Sequence, residues 1–452
     1  MAHNAIPNEF VIVPGDNPCY ILSEAKSKGM EQEEAGQILV FCIDVSGSME
    51  MEVKGNKNRL DCVVEAVIDE LKKMRIDRST RKVGIVWFGS QVTILGDASQ
   101  KEMKLPDGLF TSFDLIVEKA SEYTSLFGES VTDSYERLKK AVKDAICHGS
   151  TALGPALVTS IQIASKGAVG SRVIICTDGE ANVGIGSGED NVFYDKVANF
   201  AKEKQVSVSV LTIKGDRCNV KMLGKVSLAT GGSVMKVDPN NLGSEFSKIL
   251  SDEVLGTSTE VVIRLNHRFK FVGTKDTLTT DHGRLLKDNL GNFTEETEVS
   301  YQFDIITEEE NQGSRIVNPQ LFKCNRLPIQ IQISYTGRNS SRYLQVFTDW
   351  REVTDSVKEI VAATDFKVFS AGMLQHISPM IQNGNFADAR KNMGEFLQGS
   401  EMALQMMPEL KTVIDKEKER VTALERVMRS KQMKGGKGAS KPIFSQIQDE
   451  EA

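Results

Sequence analysis

The chain of 452 residues contains no stretch approaching about 18 uninterrupted apolar residues, so its sequence predicts no membrane-spanning helix. It also lacks an excess of basic charge. Lys and Arg number 55 against 62 Asp and Glu, a formal net charge of −7, which argues against a nucleic-acid binder resting on a basic surface. The first residues, MAHNAIPNEFVIVPG, have neither the basic start nor the long apolar core of a secretory signal. Cysteine is scarce and unpatterned: seven residues, an odd number, with Cys42, Cys62 and Cys176 inside apolar runs. That suits reduced, buried thiols better than a disulfide framework. No Cys₄ zinc-finger spacing is present, His267, His282 and His376 share no metal-ligand spacing, and there is no GxxxxGK[ST] phosphate loop. The expectation is a soluble, cytoplasmic protein, long enough for two to four domains.

What is present falls into segments. Residues 37–258 alternate apolar strand-like runs with amphipathic helical ones. ILVFCID (38–44) is a near-continuous apolar run of the kind a parallel strand buried on both faces requires. Leu60, Val63, Val64, Val67, Ile68, Leu71 and Met74 then recur at helical spacing, with Asn58 and Asp61 placed to cap the helix. VGIVWF (83–88), RVIICT (172–177) and VSVSVLTI (206–213) continue the strands, with helices between them. This order predicts βαβ units in an α/β, doubly wound, mostly parallel sheet. Residues 259–350 change to alternation, in VVIRLNHRFKFVG, ETEVSYQFDII, PIQIQISYTG and RYLQVFTDW, with turn signals at 288–291 and 336–339. They predict an antiparallel β-sandwich. Residues 351–433 read as packed helices, a bundle rather than a coiled coil, with the charged run Glu417, Lys418, Glu419, Arg420 among apolar positions. Residues 434–452 are polar and Gly/Ser/Lys-rich, as in a disordered tail. Residues 1–36 hold one strand-like piece, FVIVPG, too little for a domain; it is expected to pair into the sandwich, making the α/β unit an insertion.

The chemistry gathers at the carboxyl ends of the parallel strands, where open sheets place their ligands. ILVFCID ends in Asp44-Val45-Ser46-Gly47-Ser48, with one carboxylate and two hydroxyls on alternate residues. The loop at 150–157, STALGPAL, brings the hydroxyl of Thr151, and RVIICT runs into Asp178-Gly179-Glu180. Three segments thus offer hard oxygen donors to one edge, a set suited to Mg²⁺ or Mn²⁺. The loops 96–130 and 180–191 are expected to rim that edge, with Glu180, Asn182, Glu189 and Asp190 as partner-facing residues. Cys147-His148 has no third partner and reads as a packed helix end rather than a soft-metal or nucleophilic pair.

DxSxS, then a T-x-x-G-x-A-L loop, then a strand ending TDG resembles the metal-ion-dependent adhesion site of the von Willebrand factor A domain. The resemblance covers about residues 37–256 and implies Asp44, Ser46, Ser48, Thr151 and Asp178 as metal positions, with the ion's open position taken by a partner's Asp or Glu. The order of A domain, β-sandwich and helices also resembles the inner-shell coat proteins of secretory vesicles, in architecture alone. The expected function is a non-enzymatic protein–protein interaction scaffold that binds an acidic residue of a partner through Mg²⁺, with the sandwich and helices available for a larger assembly. The alternatives are a subunit of a metal-dependent enzyme complex, as a chelatase-type adaptor or a hydrolase, and a coat-like assembly protein with a vestigial site. Hydrolysis is the weaker of these, because Ser46 stands where haloacid phosphatases need a second carboxylate.

Overall fold

A computed structural model describes residues 19–23 and 36–433, apart from 54–56, 78, 180, 189, 214–219, 239–240, 252–253, 273–277, 295–296, 298, 300, 308–309, 312–322, 339–340, 355 and 383–384. FVIVPG and the tail at 434–452 lie outside the described residues. In chain order the elements begin with β1 (Cys19–Ser23), β2 (Ile38–Asp44), the two-residue strands β3 (Glu52–Val53) and β4 (Lys57–Asn58), α1 (Arg59–Ile76), β5 (Lys82–Phe88), β6 (Val92–Gly96) and β7 (Met103–Lys104). Then come α2 (Phe113–Ala120), α3 (Val131–Lys143), α4 (Leu153–Ala164), β8 (Arg172–Thr177), α5 (Asn191–Glu203), β9 (Ser207–Ile213), α6 (Val220–Ala229), β10 (Val234–Val237) and α7 (Leu242–Ser251).

Seven of these strands form one sheet in the order β10-β9-β8-β2-β5-β6-β7. β10, β9, β8, β2 and β5 are mutually parallel. The apolar run of β2 divides by strand alternation. Leu39, Phe41 and Ile43 pack with residues of α1, α3 and α7, while Ile38, Val40 and Cys42 pack with residues of α2, α4, α5 and α6. Helices on both faces explain why the run carries no polar alternation. At the start of α1 the cap forms as the spacing requires: Asp61 N donates to Asn58 Oδ1 at 2.7 Å and Asn58 N donates to Asp61 Oδ2 at 2.9 Å.

β6 and β7 add an antiparallel edge, so the sheet is mostly parallel as expected. The stretch 96–130 departs from the expectation: it is no polar rim loop, since it carries β7 and α2 and buries Leu105, Phe110, Ile116, Tyr123, Leu126 and Phe127. Its apolar residues are spread among Ser, Lys and Glu, so the mean composition hides them.

The second layer system follows as β11 (Gly256–Leu265), β12 (Phe269–Val272), β13 (Thr279–Thr280), β14 (Leu285–Phe293), β15 (Gln302–Ile305), β16 (Arg326–Gly337) and β17 (Arg342–Glu352). Six strands form an antiparallel sheet in the order β1-β17-β16-β11-β14-β13, and β12 with β15 forms a second, small sheet. Val261, Ile263, Leu286 and Ile329 of the large sheet and Phe269 and Phe271 of the small one share a single apolar cluster. β1 precedes the α/β unit in the chain, yet it is the strand paired with β17, Tyr20 opposite Leu344. The turn signal at 288–291 is overturned, since these residues lie inside β14. Gly291, at φ +76°, coincides with an irregularity in the β11–β14 register, so the turn-forming residues make a bulge and not a reversal.

Four helices close the described chain: α8 (Val357–Ala363), α9 (Phe366–Gln382), α10 (Phe386–Met406) and α11 (Lys411–Met433). The break between α8 and α9 is set by Asp365, whose Oδ1 accepts from Val368 N at 3.2 Å as a fresh N-cap. α9, α10 and α11 pack around Leu374, Ile377, Phe396, Leu424 and Met428. In the charged run of α11, Glu417 is buried, accepting from Ser370 and from Arg420. Among the described residues no helix is long and apolar enough to cross a membrane.

The sandwich meets the α/β unit through side-chain hydrogen bonds, two of them to backbone carbonyls. Asn292 Nδ2 donates to Thr230 O at 3.0 Å, Gln205 Nε2 donates to Ser258 Oγ at 2.6 Å, and Lys202 Nζ donates to Asn289 O. These contacts come from the far ends of α5 and α6, at the sheet edge where strands begin. These sandwich contacts thus lie away from the opposite edge, where β2 and β8 end.

Within the α/β unit the first turn of α4 is wedged against the loop before α5, where a Cβ on Gly154 would lie 1.9 Å from Ile185 O. Gly154→Ala gains about 1 kcal/mol of helix propensity. The overpacking costs about 1–3 kcal/mol and wins, because the obstructing atom is backbone. The expected outcome is a lowered urea midpoint with an unchanged m-value.

Candidate metal site

Asp44 is the last residue of β2, and its side chain is held by the turn that follows β2 and by the end of the neighbouring strand β8. Ser46 N donates to Asp44 Oδ1 at 2.8 Å, and Thr177 Oγ1, at the end of β8, donates to Asp44 Oδ2 at 2.6 Å. Asp44 is wholly buried, 0% exposed. Burial pushes its carboxyl up to about 6 from the usual carboxylate range, against the pull of the hydrogen bonds from Ser46 and Thr177; the neighbouring charge of Asp178 adds to the rise.

From Asp44 a line of oxygens runs across the edge. Ser46 Oγ lies 3.1 Å from Ser48 Oγ, and Ser48 Oγ donates to Asp178 Oδ1 at 2.6 Å. The other oxygen of Asp178 accepts from Arg59 Nη1 at 2.5 Å. The third loop is stitched alongside by backbone: Gly47 N donates to Gly149 O at 3.1 Å, His148 N to Val45 O at 2.7 Å, and Ala152 N to Gly89 O at 2.8 Å. Thr151 thus sits beside the Ser46–Ser48 turn, although its hydroxyl makes no hydrogen bond to a described residue. Its backbone is braced by Asn182: Thr151 N donates to Asn182 Oδ1 at 2.7 Å and Asn182 N donates to Thr151 O at 3.1 Å.

Of the residues expected on the rim, Asn182 is occupied in that brace, and Asp190 caps α5 by accepting from Phe193 N at 3.0 Å. Glu180 and Glu189 lie outside the described residues. Cys147 and His148 do not bond to each other. The His148 ring faces Ile146 O at 3.0 Å, and burial pushes the Cys147 thiol up to about 11, so it stays protonated at neutral pH.

Among the described residues no three His, Cys, Asp or Glu side chains cluster, so the donor set here is two carboxylates with hydroxyls. An octahedral Mg²⁺ with oxygens at about 2.1 Å separates adjacent ligands by roughly 3 Å. The 3.1 Å between the two serine hydroxyls matches that edge, and the donors are all hard oxygens. The residues fit a small divalent ion, with Ser46 and Ser48 presenting hydroxyls and Asp44 and Asp178 supplying charge behind them.

Residues 39–109 match the family model of the von Willebrand factor type A domain. The chain carries a von Willebrand factor type A domain. The matched stretch of that domain includes Asp44, Ser46 and Ser48 and stops before Thr151 and Asp178. Over 421 residues the chain is 26% identical to circularly permutated Ras protein 1 of Dictyostelium discoideum, covering 85% of this chain and 47% of that protein. The chain therefore spans about half the length of the curated relative it matches. Among solved structures it is similar to the human COPII-coat protein Sec24c, at 12% identity and a TM-score of 0.56, over 87% of this chain and 53% of that one. A von Willebrand factor type A protein from Catenulispora acidiphila aligns with a TM-score of 0.50 at 14% identity, over 86% of this chain and 83% of that one. At these identities the likeness is one of fold.

Sequence reasoning missed Thr177, Arg59 and the bracing by Asn182. Thr177 had a signal, a hydroxyl at a strand end directly before Asp178. Arg59 had none, being 119 residues from its partner.

The raised pKa of Asp44 sets a pH dependence for the metal-free A domain. The folded value lies above the unfolded one, so the cost of the buried charge is absent below about pH 4 and complete above about pH 6. A shift of that size corresponds to roughly 3 kcal/mol. In chelator, Asp44→Asn is expected to match the parent in thermal stability at acid pH and to exceed it at neutral pH. Equal stability of the two at every pH would contradict the assignment.

Proposed function

We propose that the A domain binds a divalent cation, Mg²⁺ or Mn²⁺, through Asp44, Ser46, Ser48, Thr151 and Asp178, and through it an acidic side chain of a partner protein. The single observation that carries this reading is the chain of contacts in which Asp44 accepts from the backbone N–H of Ser46, Ser46 Oγ meets Ser48 Oγ, and Ser48 Oγ meets Asp178. It lies on the sheet edge away from the contacts with the sandwich. A bound ion supplies an electrophilic position for a carboxylate. Ser46 and Ser48 hold that position in place, and the backbone stitching of 45–47 to 148–149 keeps it rigid.

The role is one of binding. Both oxygens of Asp44 are engaged from within the fold and the side chain is shielded from solvent, so it does not present itself as a nucleophile or general base. The sandwich and the helices would serve as scaffold. A second reading, a coat-like assembly protein, is favoured by the fold likeness to Sec24c over 87% of the chain. The activity of the Dictyostelium relative is not carried over, since the chain covers 47% of that protein.

Affinity capture with the full chain in Mg²⁺, in chelator, and with Asp44→Ala separates these readings. Metal-bridged binding predicts partners that are lost in both chelator and the variant. Partners that survive both would place binding on the sandwich or the helices. Thr151→Ala, which removes a neutral ligand, is expected to weaken capture less than Asp44→Ala, and equal or greater loss would mean that the roles are wrongly assigned.

A further inference from the structure

Arg59 is a cation built into the proposed metal site. Its guanidinium donates to Asp178 Oδ2 at 2.5 Å while Ser48 holds Oδ1 of the same carboxylate. The pair is dry, with side-chain exposures of 13% for Arg59 and 0% for Asp178. The arginine's position is also specified by its own segment. It is the first residue of α1, directly after the N-cap Asn58 and within the Asn58–Asp61 capping box, and its backbone N–H donates to Met51 O at 3.1 Å, close behind the Ser46–Ser48 turn. Three local restraints thus aim the guanidinium at Asp178.

Resting on the metal reading above, we propose that Arg59 is a resident counter-cation, which weakens divalent-ion binding in the free protein and keeps the ion-loaded edge net positive. Among the described residues, two carboxylates and one guanidinium leave the site with a single negative charge. A divalent ion converts this to a single positive charge, and one carboxylate from a partner brings it to neutrality. Without Arg59 the ion-loaded site would already be neutral and would have less electrostatic preference for an anionic partner group. Because the charges are shielded from water, their mutual energies are large compared with those of a surface pair. Asp178, shared with Arg59, therefore contributes less to an incoming ion than its formal charge suggests.

The test is Mn²⁺ binding to the full chain at neutral pH and fixed ionic strength, followed by the electron paramagnetic resonance of free Mn²⁺. Arg59→Met is expected to bind Mn²⁺ about tenfold more tightly than the parent, and Arg59→Lys, which keeps the charge, close to parental affinity. Arg59→Gln, neutral but polar, should follow Arg59→Met and stands in for it if thermal unfolding shows the methionine variant to be misfolded. Parental or weaker affinity in the neutral variants would overturn the proposal, as would an Arg59→Lys variant that tightens like the neutral ones. If the parent and all three variants fail to bind Mn²⁺, the metal reading itself falls and takes this inference with it. Binding by the parent that is insensitive to Arg59 leaves the metal reading standing and removes the inference alone.

Discussion

A parallel sheet covered by helices on both faces has little room for a carboxylate except where its strands end, and Asp44 is that constraint in its sharpest form. It closes the central strand β2, has no exposure to water, and is held by the turn after its own strand and by the hydroxyl that ends the neighbouring strand β8. Every other group at the site is positioned relative to it. The turn that satisfies one oxygen carries Ser46 and Ser48, and the strand that satisfies the other delivers Asp178 in the next residue. A buried carboxylate without those partners would be costly, so the local geometry of the site and the stability of the strand ends are one problem.

Among the described residues, the sandwich is attached away from this edge. The sandwich is fastened where α5 and α6 finish, through bonds to Thr230 O and from Gln205 and Lys202, which is the edge where the strands start. Its large sheet is completed by β1, from the chain ahead of the α/β unit, so the sheet's hydrogen bonding brackets that unit from both sides. The helical bundle has a core of its own, and it accommodates the buried Glu417 by giving it Ser370 and Arg420 as partners. That buried carboxylate is thus admitted to the bundle because donors meet it.

Much of this was legible in the linear chain, and the reason is periodicity. Continuous apolar runs marked the parallel strands, alternation marked the sandwich, and the Asn58–Asp61 spacing marked the start of α1. Each of these is a local consequence of how many neighbours a residue must bury. The DxSxS, TALGPAL and TDG segments could be assigned to one edge because strand ends in such sheets share an edge. Signals that were local but ambiguous misled: the residues at 288–291 favour a turn in isolation and form a bulge once β11 lies beside them.

Sequence by itself determined the class of each layer, the edge at which chemistry gathers and the oxygen character of its donors. Tertiary structure alone decided that Thr177 satisfies Asp44, that Asn182 braces Thr151 instead of standing free on the rim, and that Arg59 shares Asp178 with Ser48. The difference is physical. A strand or helix reports its burial through a repeat of two or about three and a half residues, which any short window contains. A hydrogen bond or ion pair between residues thirty to more than a hundred positions apart leaves no such repeat, and it exists only once the strands are in register and the helices between them have been placed.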